Sequence, residues 1–244
     1  MGIARRLEGS DVPLVEYTEH DGIAHITLDD GKANVLSPTM LNELNGAFDR
    51  AEHTNAVVVL SGRPGLFCGG FDLHVMREGG RNASLMLGAG FDLAQRILAF
   101  RSPVVVACSG HAVAMGAFLV LSGDFRIGID GPYRIVANEV AIGMTMPYGI
   151  VELCRQRLTP SHLSRVLSLA EEFSADAAVE AGFFDQVVGQ EQLMESAHAK
   201  AVELSKLDRT SYAATKLRIR SAALTAIRIG FERDASERHQ ILGP

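Results

Sequence analysis

Cysteine is scarce in this chain: Cys68, Cys108 and Cys154 are the only three among 244 residues. Their number is odd, and no pair has the Cys-x-x-Cys spacing of zinc ligands or redox motifs. The pattern therefore argues against a disulfide framework and against a metal site. It favours a reducing compartment, and we expect the protein to be cytoplasmic.

Excess charge of either sign is also missing. The chain carries 23 basic and 29 acidic residues, and its net charge of −6 is spread along the sequence. There is no basic face of the kind that binds nucleic acid and no acidic tail. We therefore expect no nucleic-acid partner.

Long apolar runs that would enter a membrane are not evident. Arg5 and Arg6 are followed by no apolar stretch, so the first ten residues do not resemble a signal peptide. Residues 102–122 carry no formal charge and are long enough to span a bilayer, but Pro103 and Gly110 interrupt them. A buried strand, a turn and a buried helix fit this segment better, so we expect no membrane span.

Strands and helices alternate through most of the sequence. Residues 14–28 alternate as two strands joined by a short turn, and Ser37-Pro38 is a typical helix start. The β-branched runs 56–60 and 104–108 predict buried strands, and apolar spacing over 83–100 predicts a helix between them. This succession indicates an α/β fold with parallel crossover units.

The end of the chain is helical. A last short strand at 185–188 is followed by two long amphipathic helices, 191–207 and 209–228, with no strand between them. We therefore divide the chain into a core, residues 1–190, and a C-terminal helical region, residues 191–244. Such a region often covers another surface, commonly that of a neighbouring subunit.

Two glycine-bearing turns follow buried strands. In residues 67–73, Gly69 and Gly70 allow positive φ angles and leave backbone N–H groups free, and Asp72 is expected to cap the next helix. In residues 109–116, a buried strand turns into a buried helix, whose first amides favour negative charge. Each turn alone is equally typical of an ordinary strand-to-helix connection. His111, a lone histidine in an apolar turn, is interpreted as structural.

Glu139 is the only acid between Asp130 and Glu152, and its neighbours are mostly apolar or small. A buried, isolated carboxylate has a raised pKa and exchanges protons near neutral pH. The alternative is a partly solvated acid at the end of a loop or helix. Together with the two turns, Glu139 indicates a proton-transferring enzyme that stabilises an oxyanion with backbone amides.

Four segments in this order, 32–36, 67–73, 103–124 and 139–147, resemble the crotonase superfamily, which comprises the enoyl-CoA hydratases and isomerases. Their combination is specific, although no single motif is. The resemblance implies a crotonase-like (ClpP/crotonase) α/β fold, a spiral of ββα repeats with a C-terminal helical region. It also implies an acyl-CoA thioester as substrate, no further cofactor, and assembly as a homotrimer or a hexamer (a dimer of trimers).

The resemblance assigns roles by position. The backbone amides of Phe71 and Met115 match the two oxyanion-hole donors, and these side chains, bulkier than the usual alanine and glycine, should narrow the acyl pocket. Glu139 matches the second of the two hydratase glutamates. The positions matched to coenzyme A and the acyl chain are Lys32, Ala33, Asn34, Leu36, Gly69, Gly70, Asp72, Leu73, Phe118, Pro147 and Tyr148.

The acids depart from the hydratase pattern. Phe118 occupies the position of the first glutamate, which leaves Glu139 without its usual partner. Pro147 lies eight residues after Glu139 and is followed by Tyr148, a spacing more similar to that of Δ3,Δ2-enoyl-CoA isomerases. We therefore predict Δ3-to-Δ2 double-bond isomerisation with Glu139 as the proton shuttle. Two alternatives remain: water addition with Glu139 as the only acid, and a non-catalytic acyl-CoA-binding protein.

Overall fold

The structure, a computed structural model, describes residues 12–237. Its strands are β1 (Val15–His20), β2 (Ile23–Leu28), β3 (Val57–Gly62), β4 (Gly65–Cys68), β5 (Val104–Cys108), β6 (Gly110–Val113), β7 (Phe125–Ile129), β8 (Ile135–Val136) and β9 (Gln186–Val188). Its helices are α1 (Pro38–Thr54), α2 (Leu73–Glu78), α3 (Gly80–Ala99), α4 (Met115–Ser122), α5 (Tyr148–Arg155), α6 (Pro160–Leu167), α7 (Ala175–Ala181), α8 (Leu193–Ser205) and α9 (Arg209–Ser236). Short 3₁₀ turns lie at Val140–Ile142 and Gln190–Gln192.

The strands form two sheets. The larger sheet has the order β1-β2-β3-β5-β7-β9 and is parallel except for the β1–β2 hairpin. The smaller sheet has the order β4-β6-β8 and is wholly parallel. Each consecutive pair from β3 to β8 sends its first strand to the large sheet and its second to the small one, and a helix follows. The predicted spiral of ββα repeats is therefore confirmed.

Local sequence features produce the predicted elements. Asp21 and Gly22 both have positive φ and close the β1–β2 hairpin. The Ser37 hydroxyl accepts from the N–H of Met40 at the start of α1, as its position before Pro38 predicted. Residues 102–122 form β5, β6 and α4, as expected for a buried strand, turn and helix. Within residues 12–237, no helix is both long and apolar enough to cross a membrane.

Helix α8 covers one face of the large sheet. Alternate residues of β3 point to opposite sides, and Val57 and Val59 join the cluster that contains Leu193 and Ala197 of α8. Val58 and Leu60 face the main core instead. The C-terminal region therefore begins by completing the core of its own chain.

Helix α9 packs against α3 and α5 of the same chain. Its inner face is fixed by a buried ion cluster, in which Asp124 lies 2.7 Å from Lys216 and 3.0 Å from Arg220. Arg220 also donates to the carbonyl of Leu98 at the end of α3. Burial lowers the pKa of Lys216 to about 8 in spite of the neighbouring carboxylate. The association of this region with a second copy of the chain remains a prediction.

Candidate active site

The small parallel sheet brings three chain segments to a common edge. Cys68 of β4 pairs with Ala112 of β6, and Val113 of β6 pairs with Val136 of β8. Because the strands are parallel, their carboxyl ends lie at the same edge of the sheet, although a register shift interrupts the β4–β6 pairing between Leu66 and Cys68. Functional residues of open α/β sheets commonly follow strands at this edge.

The three principal residues predicted from the sequence leave the sheet at this edge. Phe71 follows the end of β4 by three residues, Met115 follows β6 by two, and Glu139 follows β8 by three. The fold therefore gathers two candidate amide donors and one carboxylate from three separate repeats. The predicted site is consistent with this arrangement.

The two glycine turns pack directly against each other. A Cβ built on Gly70, whose φ is +91°, would lie 3.1 Å from the Ala114 Cβ and 3.6 Å from the Met115 nitrogen. A Cβ on Gly116 would lie 2.3 Å from the carbonyl oxygen of Cys68. Only glycine allows so close an approach of the two backbones. The turns therefore form one backbone surface next to the Met115 amide.

Met115 is the first residue of α4. The first N–H groups of a helix have no intrahelical acceptor, and the helix dipole gives them partial positive charge. The amide of Met115 is thus available to a negatively polarised oxygen, whereas the Met115 side chain is buried in the core. This arrangement agrees with a role through the backbone.

Ala114 is a site feature that the sequence did not reveal. Its φ of 51° and ψ of −122° belong to a region that is normally occupied by glycine. Its N–H donates to the carbonyl of Val136 at 2.8 Å, which ties the turn to the end of β8. The unusual conformation therefore aims the next amide, that of Met115, while the neighbouring strand holds it. No residue pattern marks an alanine as adopting positive φ.

Replacing Ala114 with glycine should relieve this strain. We expect Ala114→Gly to raise the free energy of unfolding by about 1 kcal/mol. The substitution relieves backbone strain of about 1–3 kcal/mol, and the greater freedom that glycine gives the unfolded chain offsets only part of this gain. Urea denaturation measures the change. Ala112→Gly, in the neighbouring strand β6, is the matched control and should destabilise. A loss of stability in Ala114→Gly would contradict the assignment of strain.

Glu139 is 8% exposed and lies just before the 3₁₀ turn Val140–Ile142. Burial raises its pKa to about 7, and its own backbone amide opposes the shift. Among the described residues, its Oε2 atom is buried without a hydrogen-bond partner. Burial raises the pKa of the Cys154 thiol of α5, and the charge of Glu139 adds to this shift. Glu139 is therefore a desolvated acid with an unoccupied acceptor.

The bulky residues of the site face inward. Phe118 is 2% exposed within the fully buried helix α4, so an aromatic ring fills the position where the hydratase pattern has its first glutamate. The Phe71 ring lies over Gly90 of α3, where a Cβ would come within 2.4 Å of it. The same ring packs edge-on against Phe91 at 5.8 Å. Phe71 thus occupies the space between its turn and α3.

The segment matched to coenzyme A divides into exposed and buried residues. Lys32 and Ala33 are exposed, and the Ala33 carbonyl accepts from the N–H of Gly69 at 3.0 Å. Asn34 is fully buried, and its amide group donates to the carbonyl of Leu28 at 2.9 Å. The Leu36 side chain is likewise fully buried. These two side chains therefore shape the loop from inside, and the assignment of the segment to coenzyme A binding remains a prediction.

The remaining predicted residues lie at the starts of α2 and α5. Asp72 accepts from the N–H of His74 at 2.8 Å and caps α2, as predicted, and Leu73 is exposed. Pro147 is buried just before α5, whereas Tyr148 is partly exposed under the guanidinium of Arg233. Leu73 and Tyr148 are therefore accessible to solvent, whereas Asp72 is half-buried and Pro147 is buried.

His111 has a structural environment. Its Nδ1 atom accepts from the N–H of Arg134 at 3.0 Å, and its ring packs edge-on against Tyr133. The side chain therefore links β6 to the segment before β8. This agrees with its interpretation as structural.

Spiral ββα topology, two packed glycine turns and a buried acid define an α/β enzyme of the crotonase fold. Residues 18–238 match the family described as enoyl-CoA hydratase/isomerase. The human mitochondrial enoyl-CoA delta isomerase 1 is 30% identical over 239 residues, which cover 95% of this chain and 78% of the relative. The chain belongs to the enoyl-CoA hydratase/isomerase family and is an enzyme of that family.

Solved structures agree with this assignment. An enoyl-CoA hydratase/isomerase family protein from Pseudomonas syringae superposes with a TM-score of 0.90 at 42% identity, covering 93% of this chain and 98% of the other. An enoyl-CoA hydratase from Mycobacterium ulcerans has a TM-score of 0.89 at 46% identity, covering 92% and 99%. The names of the relatives include both hydratase and isomerase, so similarity alone does not choose between the two reactions.

Proposed function

We propose that this enzyme shifts the double bond of enoyl-CoA thioesters from Δ3 to Δ2, with Glu139 as the only acid–base group. The observation that carries the proposal is the pair of positions Glu139 and Phe118. One is a desolvated carboxylate with an unpartnered oxygen, and the other is an aromatic core residue where the hydratase pattern has its first glutamate. A double-bond shift needs one proton carrier, whereas the family's usual water addition uses two carboxylates.

The proposed reaction has two proton transfers. The thioester oxygen accepts from the amides of Phe71 and Met115, and the Glu139 carboxylate removes a proton from C2. The electron pair of that C–H bond delocalises over C2, C4 and the thioester oxygen. Glu139 then returns the proton to C4, and the double bond comes to lie between C2 and C3. One amide donor in such a hole is worth about 3–4 kcal/mol of barrier.

The electrostatics of Glu139 suit both steps. With a pKa of about 7, a substantial fraction of the side chain is ionised at neutral pH, and the protonated form is acidic enough to release its proton to carbon. The overall reaction is redox-neutral and adds no water. It therefore requires neither a metal nor a cofactor besides the coenzyme A of the substrate.

Substrate binding and assembly complete the proposal. The exposed segment at Lys32 and Ala33, which is hydrogen-bonded to Gly69, supports a role in holding coenzyme A. The exposed apolar side chains of Leu217, Ile219 and Ile229 on α9 support assembly as a homotrimer or a hexamer. A non-catalytic acyl-CoA-binding protein is not retained, since the family assignment makes the chain an enzyme.

Assays of 3-enoyl-CoA and 2-enoyl-CoA thioesters side by side test the reaction. We expect conversion of 3-enoyl-CoA to the conjugated 2-enoyl-CoA, followed by ultraviolet absorbance, to exceed hydration of 2-enoyl-CoA at least tenfold in kcat/KM, about 1.4 kcal/mol of barrier. A series of acyl chain lengths guards against an unsuitable substrate. Faster hydration than double-bond shift at every chain length would refute the isomerase proposal and favour the hydratase.

A further inference from the structure

Helix α5 begins without a cap from its own segment. The residue before it is Pro147, which makes no side-chain capping hydrogen bond. The cap comes from the end of α9, where the two carboxylate oxygens of Asp234 accept from the N–H groups of Tyr148 and Gly149 at 2.9 and 3.0 Å. Asp234 is only 4% exposed. A carboxylate at a helix N-terminus also meets the positive end of the helix dipole.

The backbones of α5 and α9 touch at the same place. A Cβ on Gly230 would lie 2.6 Å from the nitrogen of Gly149, and a Cβ on Gly149 would lie 2.2 Å from the Phe231 ring. Two facing glycines thus allow Asp234 to reach the first turn of α5. The close approach leaves little room for the two helices to shift while the cap is in place.

This contact is linked to the acid side of the site. The segment from Glu139 to Pro147 connects the end of β8 to the start of α5. The carbonyl of Glu139 accepts from the N–H of Met144 at 2.9 Å within that segment, and the Glu139 charge helps, after burial, to raise the pKa of the Cys154 thiol of α5. The first turn of α5 therefore anchors the loop that carries Glu139, and the Glu139 carboxylate lies within electrostatic range of the same helix.

The contact is also linked to the amide side. Phe231 stacks on Phe91 of α3 with ring centroids 4.4 Å apart, and Phe91 packs edge-on against Phe71 at 5.8 Å. The backbone amide of Phe71 is one of the two proposed donors. The last turns of α9 thus contact elements that carry both halves of the site.

We infer that Asp234 is a positioning residue for Glu139, which holds the first turn of α5 so that the acid stays desolvated and in place. This inference rests on the proposed role of Glu139. Without the cap, the buried N–H of Gly149 and the partly buried N–H of Tyr148 lose their acceptors, and the first turn of α5 loosens. Water then reaches Glu139, and its pKa falls from about 7 toward its ordinary value of 4.5. A weaker and misplaced base removes the C2 proton more slowly.

Kinetics of Asp234→Ala, Asp234→Asn and the control Glu237→Gln test the inference. The Glu237 side chain forms an ion pair with Arg233 at the same end of α9, and Glu237→Gln leaves both hydrogen bonds from α5 to Asp234 in place, so this variant should behave as wild type. Asp234→Ala should lower kcat about tenfold or more with KM within about twofold, and should lower the kinetic pKa of Glu139. Asp234→Asn retains one of the two acceptor oxygens and loses the charge, so its kcat should lie between the other two, about threefold below wild type.

A second readout is independent of activity. Hydrogen exchange at the amides of Tyr148 and Gly149 should accelerate in Asp234→Ala and remain slow in Glu237→Gln. Wild-type kcat and pH profile in an Asp234→Ala protein whose first-turn amides exchange rapidly would overturn the inference. If Asp234→Ala does not fold, Asp234→Asn decides, since a kcat and pH profile identical to wild type would overturn the inference equally. Glu139→Gln is assayed in parallel, because an active Glu139→Gln would refute the proposed function itself.

Discussion

Glu139→Gln is expected to lower kcat by about a thousandfold, which is typical for the loss of a general base that acts directly on carbon. Glutamine has the same shape but cannot accept the C2 proton or return it to C4. Because the proposed binding contacts of the thioester do not include the Glu139 charge, binding should change by less than about threefold, or about 0.7 kcal/mol. Steady-state isomerase assays and calorimetric titration with a saturated acyl-CoA measure the two effects separately.

The matched control is Glu172→Gln, which neutralises an exposed carboxylate that pairs with Arg134. Its kcat should equal that of the wild type. Activity of Glu139→Gln within tenfold of wild type would show that another group carries the proton.

The pH dependence of the wild-type enzyme and of Glu139→Gln follows from the raised pKa of Glu139. Only the ionised carboxylate removes a proton, so wild-type kcat/KM should rise with pH through about 7 and level off above it.

The contribution of Glu139 to the free energy of unfolding changes with pH in the opposite direction. Between the ordinary pKa of 4.5 and the folded value, the folded state holds the proton more tightly, so this contribution to stability is lost as pH rises. Glu139→Gln should therefore gain stability relative to wild type between pH 5 and pH 8.

Loss of the Met115 amide should have the second largest effect. Met115 is the first residue of α4, a position where proline fits the helical backbone and removes only an N–H that makes no intrahelical bond. We expect Met115→Pro to have a kcat about a hundredfold lower than Met115→Ala, since one oxyanion donor is lost. The ratio of their kcat values isolates the N–H, because both variants lose the buried methionine side chain.

Both Met115 variants are made in the Ala114→Gly background. A proline at position 115 restricts the backbone of residue 114, and glycine tolerates that restriction best. Circular dichroism establishes that both proteins are folded at the assay temperature. Equal kcat values for folded Met115→Pro and Met115→Ala would contradict the assignment of this amide to the oxyanion hole.

Much of the fold was predictable because its signals are local. The β-branched runs of β3 and β5 are buried on both faces, and the Ser37-Pro38 helix start has the cap that its sequence indicates. The prediction of the site rested on glycines at turns and on one acid in an apolar stretch. Burial of Glu139 and the packing of Gly70 against the Met115 turn agree with that reasoning.

Other features depend on contacts that no local pattern contains. The cap of α5 comes from Asp234, far along the chain, and the proximity of Cys154 to Glu139 depends on how α5 packs. Ala114 adopts a glycine-like conformation because neighbouring strands hold it there. The burial of the Asn34 side chain was not predictable for a related reason, since a polar side chain in a loop looks the same in sequence whether it faces a ligand or the core.

Transfer of an isotopic label from C2 to C4 tests the central claim most directly. A 3-enoyl-CoA thioester carrying deuterium at C2 is converted in a single turnover in ordinary water, and mass spectrometry locates the label in the product. If Glu139, buried and shielded from solvent, carries the proton between the two carbons, part of the deuterium should appear at C4 of the 2-enoyl-CoA. A 2-enoyl-CoA product whose new C4 hydrogen comes entirely from water, with no deuterium at C4, would contradict the single-residue proton shuttle.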